Sequence, residues 1–334
     1  MGLGERFMRR WEFVALLGGA AVWPFAARAQ QSGKIPRLCF LAFDPGTLQT
    51  TRYDKFFQAL RDLGYVDGQT MTIDYLSADG HGERFPALAA ECLRLKADVI
   101  VVSTTPGAQA AQAATRTVPI VMLQLGDPVG SGLVDSLVKP GGNITGMSQV
   151  ASDLAAKRLA LLKEAAPGIS RVLVLSYPDD PIAPLQVKAL KEAARSLGVT
   201  LQIQDIRAVD DLSAAFDAGA RGRADGLLTT VASIFFSQRA RLTELAAHYR
   251  LPAMYPYLIH VTDAGGLMAY EPNIDDLYGP AATYVDRILK GAKPSDLPVQ
   301  QPTKFTLAIN LKAAKAIGLT ISESFLRRAD ELIQ

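Results

Sequence analysis

The sequence lacks the motifs of the common enzyme classes. It contains no G-x-S-x-G nucleophile elbow, no H-E-x-x-H zinc motif, no G-x-x-x-x-G-K-[ST] phosphate loop and no G-x-G-x-x-G after an apolar run. Its three histidines, His81, His248 and His260, are scattered, whereas a metal site or an acid–base pair needs partners that converge. These absences argue against an enzyme, and we expect no cofactor and no metal.

The sequence also lacks an excess of either charge and contains few cysteines. The 334 residues include 35 Lys and Arg against 33 Asp and Glu, and no basic run would track a phosphate backbone, so nucleic acid is not an expected partner. The two cysteines, Cys39 and Cys92, fall in a strand-like run and in a helical pattern, which favours two buried thiols. An oxidising compartment would also permit a disulfide between them.

The first 29 residues differ in character from the rest. Three arginines, Arg6, Arg9 and Arg10, precede an apolar run over residues 14–27, and Ala27-Arg28-Ala29 follows as an A-x-A cleavage site. A membrane anchor is the alternative, but the run is shorter than the about 20 apolar residues that span a bilayer. We therefore expect a signal peptide over residues 1–29, export by the Sec or twin-arginine route, and a mature protein in the periplasm.

From residue 35 onwards, apolar runs of strand length alternate with helical patterns. One example is a helical pattern over residues 185–197 that stops at Gly198, and helices are also predicted over 131–138 and 324–333. The turn cluster at residues 140–143 separates two such series. Repeated βα units with short connections predict mostly parallel, doubly wound sheets, and two series predict two lobes.

The stretch over residues 97–134 contains the candidate ligand site. Its first apolar run, residues 99–102, is followed by polar residues and a proline, which predicts a helix with Thr105 as N-cap and Pro106 as its first residue. A second apolar run, residues 119–123, ends in Gly126-Asp127-Pro128. Ligands of open α/β sheets bind outside the carboxyl ends of strands, so we expect the ligand at these two ends.

The chemistry of the strand ends suits a small zwitterion or carboxylate. Helix amides and the hydroxyls of Thr104 and Thr105 would donate hydrogen bonds to a carboxylate. An ammonium group could pair with one of three acids, and flat aromatic rings could stack on an apolar or aromatic ligand. The candidate acids are Asp127, Asp179 and Glu271, and the candidate rings include Tyr177 and Tyr270. For Asp127, capping of its own helix is the alternative.

Several segments of the sequence are characteristic of one family. They are LGYVDGQ at 63–69, TPGAQAAQAAT at 105–115, GDPVGSGLVDSLVKPGGNITG at 126–146, ILKGAKPSDLPVQQPTKF at 288–305, INLKAAKAIGLT at 309–320 and RRADELI at 327–333. Through them the chain resembles the ABC-transporter substrate-binding proteins whose best-known members bind tryptophan and related aromatic amino acids. The resemblance spans nearly all of the mature chain.

The resemblance implies a type I periplasmic binding protein, with two Rossmann-like lobes joined by three crossovers and a ligand in the cleft between them. Lobe 1 would comprise residues 35–147 and about 272–302, and lobe 2 residues 148–271 and about 303–334. The family's cleft positions map onto Thr104, Thr105 and Asp127 in lobe 1, and in lobe 2 onto the 176–180 loop with Tyr177 and Asp179, Thr230, Tyr270 and Glu271. The loops at Tyr177 and Tyr270 depart from those of the amino-acid binders.

The expected function is that of an exported solute-binding protein of an ABC importer. It would capture a small organic ligand, such as an amino acid, an aromatic compound or a carboxylate, and deliver it as a monomer to a permease in the inner membrane. A sensory binding protein of the same fold, which presents its ligand to a membrane receptor, is the first alternative. An enzyme on this scaffold is the second.

Overall fold

A computed structural model describes residues 34–43, 53–273 and 275–334 of the chain. The predicted signal peptide lies outside these described residues. Within them, no helix combines the length and the apolar composition needed to cross a membrane. Residues 36–334 belong to one structural unit, in which the chain builds two sheets.

Lobe 1 is built on a parallel five-stranded sheet of order β2-β1-β3-β4-β5. Each of its first strands is followed by a helix that packs on the sheet, as expected for doubly wound α/β structure. The elements are β1 Arg37–Ala42, α1 Asp54–Asp62, β2 Thr72–Ser77, α2 Phe85–Arg94, β3 Val99–Val102, α3 Thr105–Ala114, β4 Ile120–Leu125 and β5 Ile144–Ser148.

Lobe 2 is built on a seven-stranded sheet of order β12-β11-β10-β9-β8-β6-β7, in which only the β10–β11 pair is antiparallel. The elements that follow β5 in the chain are α4 Ala151–Ala165, β6 Arg171–Ser176, α5 Ala183–Leu197, β7 Thr200–Asp205, α6 Asp211–Arg221, β8 Gly226–Thr229, α7 Ser233–Ser237, α8 Arg239–His248, β9 Ala253–Tyr255, α9 Ile259–Thr262, β10 Met268–Pro272, α10 Asp275–Leu289, β11 Phe305–Asn310, α11 Leu311–Ile317, α12 Glu323–Leu326 and β12 Glu331–Ile333. Of these, α10 packs on lobe 1.

The chain crosses between the two sheets three times. It leaves lobe 1 after β5 and returns to it after β10, where the apolar face of α10 joins the core formed by β1 and α1. It then passes a short 3₁₀ turn at Pro294–Asp296 and enters lobe 2 again at β11. The three connecting segments are therefore the positions at which one lobe can rotate against the other.

The strands at the centre of each sheet are covered on both faces. All four residues of β3 and all six of β4 are buried, and each sheet has apolar clusters on its two sides. A continuous run of Val and Ile suits this environment, since an alternating pattern would place polar side chains in one of the two cores. Burial thus explains why these strands carry no polar residue until their carboxyl ends.

Cys39 and Cys92 form a disulfide, so the expectation of two free thiols is wrong. Cys39 lies in the centre of β1 and Cys92 in α2, and both side chains are fully buried in the same core. Packing of α2 on the sheet brings their Cα atoms to 5.7 Å, within the range of disulfide geometry. The sequence could not show this pairing because 53 positions separate the two residues.

Two predicted helices are also corrected by the structure. Residues 131–138 form turns, with Gly132 in the left-handed region at φ 72° and the Leu133 carbonyl accepting a hydrogen bond from the Gln112 side chain at 2.9 Å. Residues 324–333 contain only the short α12, and the chain then extends as β12 along the edge of β11. In both places tertiary hydrogen bonds replace those of the predicted helix.

Candidate functional site

Residues that follow the strands of both lobes meet in a cleft. From lobe 1 these residues follow β1, β3 and β4, and from lobe 2 they follow β6, β8, β9 and β10. The cleft consists of two cavities, named cavity A and cavity B, and a narrow neck that shares lining residues with both. The strand ends at which the sequence places the ligand site therefore face one another across the lobes.

Cavity A has a volume of about 340 Å³ and is walled by aromatic and acidic side chains. The lobe 1 side carries two aromatic rings and the start of α3, and the lobe 2 side carries the loop after β6. Its lining residues are Phe43, Gly82, Glu83, Phe85, Thr104, Pro106, Tyr177, Asp179, Asp180 and Ser233.

The neck encloses about 20 Å³, which is room for about one water molecule. It shares Thr104, Asp180 and Ser233 with cavity A, and Gln124 and Tyr257 with cavity B. Cavity B measures about 530 Å³ and is lined by Lys55, Gln124, Phe236, Tyr257, Leu258, Ile259, Thr262, Glu271, Asn273, Tyr278, Thr306 and Glu331. The two cavities thus form one interrupted cleft.

Thr104 is the N-cap of α3, a position that the sequence assigned to Thr105. Its backbone is extended, with φ −137° and ψ 153°, and its hydroxyl oxygen accepts a hydrogen bond from the Gly107 N–H at 3.2 Å. Both threonines are buried; Thr104 lines cavity A and the neck, and Thr105 lines the neck. Because a hydroxyl that accepts one hydrogen bond can still donate another, this helix start offers donors to an anionic group.

The loop after β6 supplies the acidic side of cavity A. Asp179 is exposed and its Oδ1 lies 2.5 Å from the Arg207 Nη1. Asp180 is only 8% exposed; its Oδ1 accepts a hydrogen bond from the Ile182 N–H at 3.1 Å, and burial raises the pKa of its carboxyl to about 7. The half-buried ring of Tyr177 lies between these acids and the core behind them.

Glu271 lines cavity B at the end of β10. Its Oε2 accepts a hydrogen bond from the Leu258 N–H, and its charge faces Arg158, which is fully buried in α4. The Arg158 Nε donates to the Tyr270 carbonyl at 2.8 Å and Nη2 to the Pro256 carbonyl at 3.4 Å. Burial lowers the pKa of Arg158 to about 10, so the guanidinium stays charged and holds the ends of β9 and β10 together.

A stack of rings supports the wall between the neck and cavity B. The Tyr257 ring lies parallel to the His260 ring at 5.8 Å, and His260 stacks on Tyr255 at 4.6 Å. The His260 Nδ1 and Nε2 lie 3.2 and 3.1 Å from the carbonyl oxygens of Tyr257 and Phe235. Burial lowers the pKa of His260 to about 4, so the imidazole is neutral at pH 7 and serves packing rather than charge.

Asp127 lines neither of the two cavities nor the neck. Its Oδ1 accepts a hydrogen bond from the Gly130 N–H at 2.9 Å, and its Oδ2 accepts one from the Ser152 hydroxyl at 3.2 Å. It lines a separate cavity of about 470 Å³ with its own loop and the start of α4. The carboxylate therefore closes a turn. This role resembles the capping that was the alternative to ligand binding, but the helix that Asp127 would cap is not formed.

Thr230 and Tyr270 also lie outside the linings of the cleft. Thr230 is buried, and its hydroxyl donates to the Leu175 carbonyl at 3.3 Å. The Tyr270 ring stacks on Phe305 at 5.7 Å and packs on the core beneath the sheet. Since successive strand residues point to opposite faces, Tyr270 faces that core while Glu271 faces cavity B.

Sequence reasoning missed some of the residues that line the cleft. Asp180 was within the predicted 176–180 loop, but nothing in the sequence distinguished it from its exposed neighbour Asp179. Phe85 opens α2 and lines cavity A, although an apolar residue at helical spacing is by itself a sign of core packing. Gln124 could have been predicted to line the cleft, because it is a polar residue at the end of a buried strand.

Comparison with known proteins identifies the family and the fold class. Residues 45–333 match the ABC transporter substrate binding protein family. The chain belongs to this family. The similarity of this substrate-binding protein to solved periplasmic binding proteins confirms the predicted two-lobed α/β fold of the type I class.

Two proteins that bind aromatic amino acids resemble this substrate-binding protein over most of their length. A tyrosine-binding protein of Clostridioides difficile is 28% identical over 264 residues, which are 79% of this chain and 75% of that protein. The ABC domain of Streptococcus pneumoniae in complex with L-Trp is 25% identical with a TM-score of 0.82, over 90% of this chain and 100% of that one.

A further solved structure is ligand-free and open. The ligand-free, open structure of a substrate-binding protein from Clostridium difficile is also 25% identical and covers 90% of this chain and 99% of that one, but its TM-score is 0.65. The described structure thus superposes better on the L-Trp complex than on the open, ligand-free protein.

Proposed function

We propose that this chain is an exported solute-binding protein of an ABC importer, which captures a small organic ligand between its lobes and presents it to an inner-membrane permease. The observation that carries the proposal is the cleft, in which strand ends of both lobes line cavities of about 340 and 530 Å³. Sites for small molecules are typically of this size and combine apolar walls with a few polar groups. An amino acid, an aromatic compound or a carboxylate fits the donors and rings present.

Of the predicted site residues, we propose ligand contacts for those that line the cleft, namely Thr104, Thr105, Tyr177, Asp179 and Glu271. Asp127, Thr230 and Tyr270 hold loops and strand ends in place from outside it. The relatives support this ligand class, since one is a tyrosine-binding protein and another was solved with L-Trp.

The proposed mechanism uses binding energy alone. A ligand that contacts both lobes favours the closed arrangement over the open one, and the shift is limited by its differential affinity for the two. This chain superposes better on the L-Trp complex than on an open relative, which supports the proposal that its two lobes are arranged as in a closed state. Closure brings together surfaces of the two lobes, and we propose that the permease recognises this state.

A ligand screen tests the proposal. Amino acids, aromatic acids and small peptides are added to the purified protein, and a ligand at about 100 times its Kd is expected to stabilise the folded state by about 2.7 kcal/mol. The bound compound should be recovered unchanged; its conversion into a product would favour the enzyme alternative. Failure of every compound to shift the melting temperature would count against solute binding.

A matched pair of variants locates the site. Tyr177→Ala removes a ring from the wall of cavity A and should weaken binding of the hit by about tenfold or more, because aromatic contacts of this kind contribute about 0.5–1.5 kcal/mol beyond the buried area. Tyr249→Ala removes a ring of the same size that packs on Phe216 in lobe 2, outside the cleft, and should leave the affinity unchanged. Equal affinities of the two variants would place the ligand elsewhere.

A further inference from the structure

Cavity A has an acidic wall. Three carboxylates line it, those of Glu83, Asp179 and Asp180, and none of its described lining residues is Lys, Arg or His. Cavity B differs, since Lys55 is among its lining residues. A ligand group that enters cavity A therefore meets negative charge without a neighbouring cation on the wall.

The three carboxylates differ in their partners. Asp179 is exposed and pairs with Arg207, and Glu83 is exposed beside His81, whose Nδ1 lies 3.1 Å from its Oε1. Asp180 is 8% exposed, and among the described residues it forms no ion pair; one backbone N–H, that of Ile182, donates to it. A buried carboxylate without a cation is costly for the folded protein, and such groups mark functional sites more often than others.

Asp180 lies in the part of the cleft that both lobes share. It lines cavity A and the neck, as does Thr104, so the carboxylate and the start of α3 border the same two spaces from opposite lobes. The rings of Phe43, Phe85 and Tyr177 form the apolar wall next to them. The cleft thus combines an acid from one lobe, hydrogen-bond donors from the other and apolar rings, and these groups match a molecule with an ammonium group, a carboxylate and an apolar body.

We propose that Asp180 receives the cationic amino group of the ligand, so that the site selects amine-bearing zwitterions over the corresponding acids that lack the amine. The proposal deepens the solute-binding function and rests on it. Contact with an ammonium group would supply the counter-charge that Asp180 lacks, and the same contact would tie lobe 2 to a ligand held at α3 of lobe 1.

This assignment makes ligand binding depend on pH. Burial raises the Asp180 pKa to about 7, and the charged or titratable groups around it are Asp179 and Tyr177 on its own loop, Glu83 from the turn before α2, and Arg207 beyond Asp179. Below pH 7 the carboxyl must lose a proton before it can pair with an ammonium. The affinity is therefore expected to fall about tenfold between pH 8 and pH 6.

The stability of the unliganded protein should change in the opposite sense. Because the pKa of Asp180 is higher in the folded than in the unfolded chain, the folded state loses stability as the pH rises from about 4 to about 7. Asp180→Asn keeps an oxygen for the Ile182 N–H and removes the buried charge. This variant should therefore have a higher urea midpoint than the wild type at pH 8 while it binds ligand more weakly.

The test is calorimetric titration of the wild type and two variants with L-tyrosine, L-tryptophan and the deaminated acids 3-(4-hydroxyphenyl)propanoate and indole-3-propanoate. Asp180→Asn should lower the affinity for the amino acids by about 30-fold or more, as expected for the loss of one partner of a buried ion pair. Asp210→Asn, at an exposed position before α6 with the same change of charge, should leave it unaltered. The wild type should bind the deaminated acids correspondingly weakly.

The outcomes separate the two proposals. Binding of the deaminated acids as tightly as the amino acids, or an unchanged affinity of Asp180→Asn, would overturn the role of Asp180 and leave solute binding intact. If the wild type binds none of the four compounds and no compound of the wider screen, the solute-binding function itself fails. If the urea midpoint of Asp180→Asn at pH 8 is lower than that of the wild type, Asp180 does not carry a buried charge without a counter-charge, and the proposed role is contradicted.

Discussion

Loss of the Cys39–Cys92 disulfide should destabilise lobe 1 by several kcal/mol. The bond links the centre of β1 to α2 across 53 positions of the chain. A crosslink over a loop of this length lowers the entropy of the unfolded chain by an amount that corresponds to about 4 kcal/mol at 25 °C. Replacement of the two cysteines by alanine also removes two fully buried sulfur atoms, and the lost packing adds about 1 kcal/mol at each position.

The same bond positions part of the candidate site. Helix α2 begins at Phe85, and both Phe85 and the preceding Glu83 line cavity A. Because Cys92 anchors this helix to the sheet, its loss should allow the wall of cavity A to move. We therefore expect ligand affinity to fall along with stability, while the lobe 2 wall stays in place.

Urea denaturation measures the effect in the wild type, with and without reductant, and in the Cys39→Ala/Cys92→Ala double variant. The free energy of unfolding of the wild type should be about 4 kcal/mol lower with reductant, and the double variant should not respond to reductant. Titration of thiols in urea without reductant should find none. Two titrating thiols, or a reductant that leaves unfolding unchanged, would refute the reasoning.

Two further predictions concern buried charges in lobe 2. Arg158→Met removes the donors to two carbonyl groups and a buried positive charge that attracts Glu271, so the free energy of unfolding should drop by about 3 kcal/mol, as urea denaturation would show; an unchanged value would mean that the guanidinium adds nothing to stability. The pKa of His260 is about 4 when folded and near 6.5 when unfolded, so the folded state should lose about 3 kcal/mol as the pH falls from 6.5 to 4. The His260→Gln variant should not show this loss of stability. If the melting temperatures of the wild type and of the variant fall by the same amount between pH 6.5 and pH 4, the prediction is wrong.

Much of the fold could be predicted from local patterns. The run at Val99–Val102 is a buried parallel strand at the predicted positions, and α5 ends at Leu197 with Gly198 in the left-handed region at φ 63°. Such signals are local, because burial on two faces demands an unbroken apolar run and a helix end favours a residue without a Cβ. The predicted helix over residues 131–138 failed because Gln112 of a neighbouring helix binds a carbonyl of this segment.

For the cleft, local sequence patterns were enough to locate the strand ends that line it, but not to identify the side chains that enter it. Polar groups can follow a buried strand only at its end, so the positions after β3 and β6 were recognisable from the apolar runs before them. Which of the two cleft acids, Asp179 or Asp180, is buried, and whether Asp127 lines the cleft at all, depends on the path of each loop and on the partners that it meets. The pairing of Cys39 with Cys92 was decided in the same way, by the packing of a helix on a sheet that no local pattern encodes.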